Sequence, residues 1–275
     1  MQSRFAVAEP IRPSLFTHLI APIAGASVLF ILAYGTSFDF GLASFLFDWQ
    51  GGTWALQHHW LTETVLHHSV RTLNETLVLG LLGYWAWRHV VVRERSKNQR
   101  ALGVLLLSLM VSFASVALLK RLLPMECPWD LLQFGGSSAF WGLFDTRPET
   151  MSPNQCFPAG HASIGFAWLA LYYYWRELKP QLAMRGILIG LTLGLLLGFV
   201  QQLRGAHFIS HDIATAAVCW TVSTVLYVLF HRPRTSESLA KSEPVLTSEL
   251  GISAHLPHGS PKPVLFTTSM ESPDV

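Results

Sequence analysis

The chain has 275 residues, of which 51% are hydrophobic and only 13% charged, with ten Trp and seventeen Phe. A soluble domain of this length needs far more charge to cover its surface, so the composition predicts an integral membrane protein of the all-α class, a polytopic helix bundle. A formal net charge of +2, with its basic residues scattered through short loops, excludes a nucleic-acid patch, and three cysteines without a CxxC pair exclude a zinc ribbon.

Residues 1–18, with Arg4 and Arg12, read as a cytoplasmic N-terminus. The first apolar run, about Leu19 to Tyr34, approaches the ~20 residues that cross a bilayer. It reads as a signal anchor, because further spans follow and no small-x-small cleavage site ends it. Residues 37–72 are too polar to span; Trp49, Trp54 and Trp60 predict an amphipathic segment at the interface, and His58, His59, His67 and His68 read as surface-lying. The second span, about Leu73 to Val92, carries Asn74 and Glu75 at its start. In the loop that follows, Arg88, Arg93, Arg95, Lys97 and Arg100 outnumber Glu94, which places that loop in the cytoplasm.

A third span, Leu102 to Leu119, returns outward and meets Lys120 and Arg121, two cations on the side where few are expected. Residues 120–160 form the longest interior non-membrane segment, a length that points to function. The fourth span, Ala162 to Trp175, is short and is followed by a net basic loop; the fifth, Gly186 to about Gln202, repeats glycine at Gly186, Gly190, Gly194 and Gly198, a face that lets another helix come close. The sixth runs from Ile213 to Phe230, and the mixed polar residues 232–275 read as a disordered cytoplasmic tail. The expected organisation is one membrane domain, 19–231, with six spans and both ends inside.

Three polar clusters then share the outer face. They are Lys120 with Arg121, the stretch CFPAGHAS at 156–163, and Arg204 with His207, His211 and Asp212. Ionisable groups at a membrane helix end mark a site more often than filler. Gly160 lets a ligand approach the backbone where the fourth span begins, which suits an anion at a helix N-terminus. Lysine and arginine bind phosphate oxygens, and two histidines on different segments supply a nucleophile or base and an acid. The inventory fits phosphoryl transfer through a phosphohistidine without a cofactor or metal.

These residues resemble the integral-membrane type 2 phosphatidic acid phosphatases, whose signature has three parts. A lysine, six residues and Arg-Pro appears as Lys120, six residues and Cys127-Pro128. Pro-Ser-Gly-His appears as Pro158-Ala159-Gly160-His161. Ser-Arg, five residues, His, three residues and Asp appears with Gln201 for the arginine, His207, and His211 for the aspartate, while Asp212 follows one place later and Arg204 stands half-way. The resemblance covers roughly residues 100–230. It implies that His207 is the nucleophile, His161 the general acid, and Lys120 and Arg204 the phosphate clamps; on residue chemistry Arg121 and Gly160 join the phosphate-binding group, and His211 or Asp212 supports His207.

Cys127 and Cys156 each fill a place inside or beside a family motif on the outer loop, where an oxidising periplasm favours a disulfide; closing that loop contributes roughly 3.5 kcal/mol in the chain-entropy model. The function expected is a lipid phosphatase of the inner membrane with its site on the periplasmic side, acting on lipid A, undecaprenyl diphosphate, phosphatidylglycerol phosphate or phosphatidic acid. A lipid phosphotransferase would use the same residues. A haem-binding electron carrier would need its histidines facing one another within the apolar bundle rather than beside cations at one surface. A catalytically silent lipid binder is the third alternative.

Overall fold

Inside a bilayer the backbone finds hydrogen-bond partners only in itself, and the described residues form helices and no strand. The computed structural model describes residues 14–143, 145 and 154–231. The proposed tail, 232–275, and residues 1–13 of the proposed cytoplasmic N-terminus fall outside them. Helix α1 (Ala21–Tyr34) continues a π-helical turn, Phe16–Ile20, and α2 is Phe38–Trp49. A second π-helical segment, Leu61–Ser69, leads into α3 (Val70–Val90), and Ser96 caps α4 (Lys97–Leu122) by accepting from the Gln99 N–H. Helix α5 (Gly160–Phe166) passes through a 3₁₀ turn, Ala167–Ala170, into α6 (Leu171–Leu178); α7 (Ala183–Leu203) and α8 (Ile209–Phe230) complete the order.

Among the described residues four stretches are long and apolar enough to cross a membrane: Phe16–Tyr34, Lys97–Leu122, Pro180–Leu203 and Ile209–Phe230. The two other expected spans coincide with α3 and the α5–α6 run. The first is confined between Arg71 with Glu75 and Arg88 with His89, and the second is divided by the 3₁₀ turn. Exposed Val28, Leu29, Ile31 and Leu32 of α1 and Leu188, Leu195 and Leu196 of α7 present the apolar surface that lipid would cover. The segment read as lying at the interface is more embedded than its composition predicts. Phe40, Ala43 and Phe47 of α2 pack with Trp54, Leu131, Phe134, Phe140 and Phe208, an aromatic cluster that joins this segment to the long outer loop.

The glycine row of α7 does what its spacing predicts. A Cβ on Gly186 would lie 2.3 Å from the Tyr172 nitrogen, one on Gly190 2.5 Å from the Leu169 nitrogen, and one on Gly194 2.1 Å from the Phe166 ring. The α5–α6 run is therefore in backbone contact with α7 along its length. At one end of the bundle Glu177 of α6 meets Lys97 at 3.2 Å and His231 at 3.0 Å, joining the start of α4 to the ends of α6 and α8. The polar residues singled out by sequence lie at the other end.

This packing predicts a contrast between glycines. A Cβ on Gly165 would fall 2.2 Å from the Gly194 nitrogen, main chain that cannot step aside, whereas one on Gly25 of α1 meets nothing within 4 Å. Gly165→Ala is expected to destabilise the bundle by ~1–3 kcal/mol through overpacking and to lower its thermal midpoint in detergent, while Gly25→Ala leaves the midpoint unchanged or slightly raised. Equal midpoints for the two variants would show that α5 and α7 do not touch this way.

Candidate active site

The C-termini of α4 and α7 and the N-termini of α5 and α8 converge. The Ala159 N–H, just before α5, donates to the His211 carbonyl at 3.3 Å, and Thr215 Oγ1 donates back to the Ala159 carbonyl at 3.1 Å. The loop after α4 is fixed by a disulfide between Cys127 and Cys156, Cα atoms 5.3 Å apart, by the Cys156 N–H on the Met125 carbonyl, and by the Trp129 N–H on the Gly205 carbonyl. Gly205 has φ +74°, and a Cβ there would lie 2.5 Å from the Trp54 ring, so the turn after α7 requires glycine on both counts. Phe208 offers no side-chain oxygen to cap α8; the buried Asp39 of α2 reaches across to accept the Ser210 N–H at 3.1 Å. Burial pushes the Asp39 carboxyl up, and the Ser210 hydrogen bond pulls it back.

Within this framework His207 and His211 are both buried, their Nδ1 atoms 3.4 Å apart, and the main chain of Cys156 hydrogen-bonds His207. Phe157 and Phe208 present edges to the His211 ring, with centroids 5.3 and 5.5 Å away. The stem and Nζ of Lys120 lie against Gly160, 3.5 to 3.6 Å from where a Cβ would stand, so glycine makes room for the cation. Burial first, then the positive charge of Lys120, hold His207 well below the ordinary imidazole range and keep it neutral. His161 is buried, with Nε2 hydrogen-bonded to the Leu66 carbonyl at 2.9 Å. No side chain caps α5 at Ala159, which leaves the N–H groups of its first turn for an anion.

Arg204 is also buried here. It gives Nε–H to the Gln57 carbonyl at 2.8 Å and NH1 to Gln201 Oε1 at 3.1 Å, and it faces Glu63 at 3.6 Å and the Trp129 ring at 6.0 Å. Two residues expected at the site stand apart. Arg121 is exposed on the outside of α4. Asp212 is buried against α7, where Gln202 Nε2 donates to its Oδ2 at 2.6 Å and a Cβ on Gly198 would meet it at 2.5 Å. On α8 it follows His211 by one position, about 100° around the helix, and so faces α7 rather than the histidine pair.

One participant is absent from the sequence reading. His67, read as surface-lying, sits with its ring centroid 4.4 Å from that of His161, and its Nδ1 accepts from Gln201 Nε2 at 3.2 Å. A relay thus runs from Arg204 through Gln201 to His67, which rests on His161. Burial, followed by the charges of His161 and Arg204, lowers His67 to about 4, so it is neutral at working pH with its Nε2–H free to donate. The signal was Glu63 and His67 one turn apart, since both face inward to this relay. His58, His59 and His68 are exposed, as read from sequence.

Cys127, Asp130 and Cys156 place three potential metal-ligand atoms within 4.8 Å of one another, but the two sulfurs are bonded to each other and do not form a ligand set. No curated protein and no solved structure matches the chain. The family model described as the PAP2 superfamily matches residues 101–234, which contain Lys120, Gly160, His161, Gln201, Arg204, His207 and His211 but not Asp39, Gln57, Glu63, Leu66 or His67. Members of that superfamily are phosphatases acting on phosphorylated substrates. That match over residues 101–234 is consistent with a member of the type 2 phosphatidic acid phosphatase family.

Proposed function

We propose that the protein is a lipid phosphatase of the inner membrane, hydrolysing a phosphorylated headgroup at the periplasmic surface while the tail stays in the bilayer. The observation that carries this reading is the meeting of a neutral His207, the Lys120 cation, His161 and the uncapped start of α5 at one end of an apolar bundle. Lys120 and the α5 N–H groups hold the phosphate, with Arg204 contributing charge from behind Gln201. His207 Nε2, the nitrogen not turned to His211, attacks phosphorus as the ester P–O bond breaks. Burial lowers His161 to about 4 and the negative charge of a bound phosphate raises it again, so that His161, with Nε2–H on the Leu66 carbonyl, takes up a second proton on Nδ1 as substrate binds and delivers it to the leaving alkoxide. Water then attacks phosphorus, His161 takes a water proton, and the N–P bond breaks to free phosphate. His211 holds the Nδ1 side of His207 through this cycle.

The lipid class comes from the setting, since a phosphate site at the end of helices with lipid-facing apolar surfaces meets amphipathic phosphates first. Lipid A, undecaprenyl diphosphate, phosphatidylglycerol phosphate and phosphatidic acid are the candidates. Orientation follows from charge: Lys97 and Arg176 sit at the far end of the bundle, where the basic loops predict the cytoplasm. Fusions of a compartment reporter after Lys97, Phe140 and Ser236 are expected to read inside, outside and inside. A cytoplasmic reading at Phe140 would put the cluster on the wrong leaflet.

Phosphate release from a panel of those lipids in nanodiscs, with EDTA present, tests the activity. His207→Ala is expected to abolish both release and acid-labile phosphohistidine, while His211→Asp retains activity or raises it. Label trapped at position 211 with His211→Asp inactive would exchange the two roles.

The pH profile tests the electrostatics. His207 attacks only when neutral, and its lowered pKa keeps it neutral as pH falls, so the acid limb of kcat/KM lies below the ordinary histidine value of about 6.5. Lys120→Met removes a like charge, raises the His207 pKa and moves that limb to higher pH, besides weakening phosphate binding. An acid limb that stays in place would mean that Lys120 and His207 are not coupled.

A further inference from the structure

A second site lies on another face of α8. A groove of about 850 Å³ runs between α1, α2, α7 and α8, within the size range of small-molecule sites. Its walls are apolar, among them Leu29, Leu195, Ile213 and Ala217, and its polar residues are Gln202 and Asp212 at one end. None of Lys120, Gly160, His161, Arg204, His207 or His211 lines it. The groove face of α8 follows Ile209, Asp212, Ile213, Ala216, Ala217 and Trp220, whereas His211 and Thr215 turn toward the loop before α5.

Asp212 is the feature that points to a ligand. It is 3% exposed, and Gln202 satisfies only Oδ2; Oδ1 is buried and has no hydrogen-bond partner. A polar oxygen held without a partner in apolar surroundings is costly, and a donor from a bound molecule removes that cost. The donor must reach one acceptor atom lying about 5 Å inside the start of α8, with an apolar body that continues about 12 Å further to Trp220. Charged headgroups belong further out, at the helix end. A hydroxyl at the glycerol level of the bilayer has the right depth and a single proton to give.

We propose that this groove binds a bilayer lipid with a free hydroxyl, of the long-chain alcohol or diacylglycerol type, whose hydroxyl donates to Asp212 Oδ1 and whose chain lies along α7 and α8. This goes beyond the catalytic reading and does not depend on it. Under that reading the ligand has the chemistry of the alcohol that hydrolysis of a lipid phosphate releases, so the groove would hold product away from His207.

The test uses the full chain in nanodiscs and a hexadecanol carrying a photoreactive diazirine in its chain. Labelling is expected to map to α7 and α8 peptides lining the groove, and to be competed by hexadecanol about tenfold better than by its methyl ether, the selectivity of one hydrogen bond. Asp212→Leu removes that selectivity, and Ala217→Phe, which fills the groove, removes the labelling. Equal competition by alcohol and ether in the wild-type protein would overturn the proposal, as would labelling that survives Ala217→Phe or photocrosslinks to a second copy of the chain in place of lipid. Should Asp212→Leu fail to fold, the wild-type alcohol-to-ether ratio decides alone. Absence of phosphatase turnover would refute the catalytic reading and leave these readouts untouched.

Discussion

The close approach of α5 to α7 is the constraint on which the polar end depends. With glycine on both sides, Gly165 of α5 and Gly194 of α7 bring main chain against main chain, and no larger residue fits either position. That contact fixes how far the start of α5 reaches toward α8, and so permits the pair of hydrogen bonds joining Ala159 to His211 and Thr215. His161 follows Ala159 by two residues and His211 carries one of those carbonyls. The helix-packing device therefore sets the position of His161 relative to the histidine pair. In lipid, where apolar faces gain little from one another, such small-residue contacts carry the association that burial would supply in water.

Elsewhere in the bundle several buried polar groups are paired across helices. Trp168 Nε1 donates to Asn74 at 2.9 Å, Trp85 and Gln99 exchange hydrogen bonds between α3 and α4, and the Tyr173 hydroxyl meets Thr224 at 2.7 Å. Asn74 and Gln99 thus act as interhelical links. Asp212 Oδ1 differs from these in having no hydrogen-bond partner while its residue lines an apolar groove, where an unpaired oxygen is costly.

The sequence makes the helices legible because apolar runs, glycine spacing and basic loops each report a one-dimensional property of the chain. Lys120, Gly160, His161 and His207 are equally readable, since their order and intervals follow a known pattern. What sequence does not carry is the side on which a segment with mixed polarity packs. His67 and Glu63 lie in a stretch whose tryptophans and four histidines look interfacial, and only the tertiary position of Arg204 and Gln201 shows that one histidine of the four turns inward. The capping of α8 by Asp39 is unreadable for the same reason, being a contact across 171 positions. Arg121 illustrates the opposite error, in which adjacency to Lys120 suggests a shared role that the 100° turn per helical residue denies.

The departures from the family pattern fall into an electrostatic order once the cluster is assembled. Gln201 stands where the pattern has a cation, and His211 stands where it has an anion next to the nucleophile. Exchanging the aspartate alone would remove a negative charge from a buried site and leave His207 facing cations without compensation. Exchanging the arginine for glutamine at the same time removes one of those cations, and the two changes offset. The remaining guanidinium, Arg204, is withdrawn behind Gln201, where Glu63 and the Gln57 carbonyl engage it, so its charge reaches His161 and His67 more than the histidine pair. A neutral His211 can then fix the ring of His207 without stabilising its protonated form, which agrees with a His207 held neutral beside Lys120. On this argument the substitutions preserve the working protonation state of His207 by lowering both signs of charge around it together.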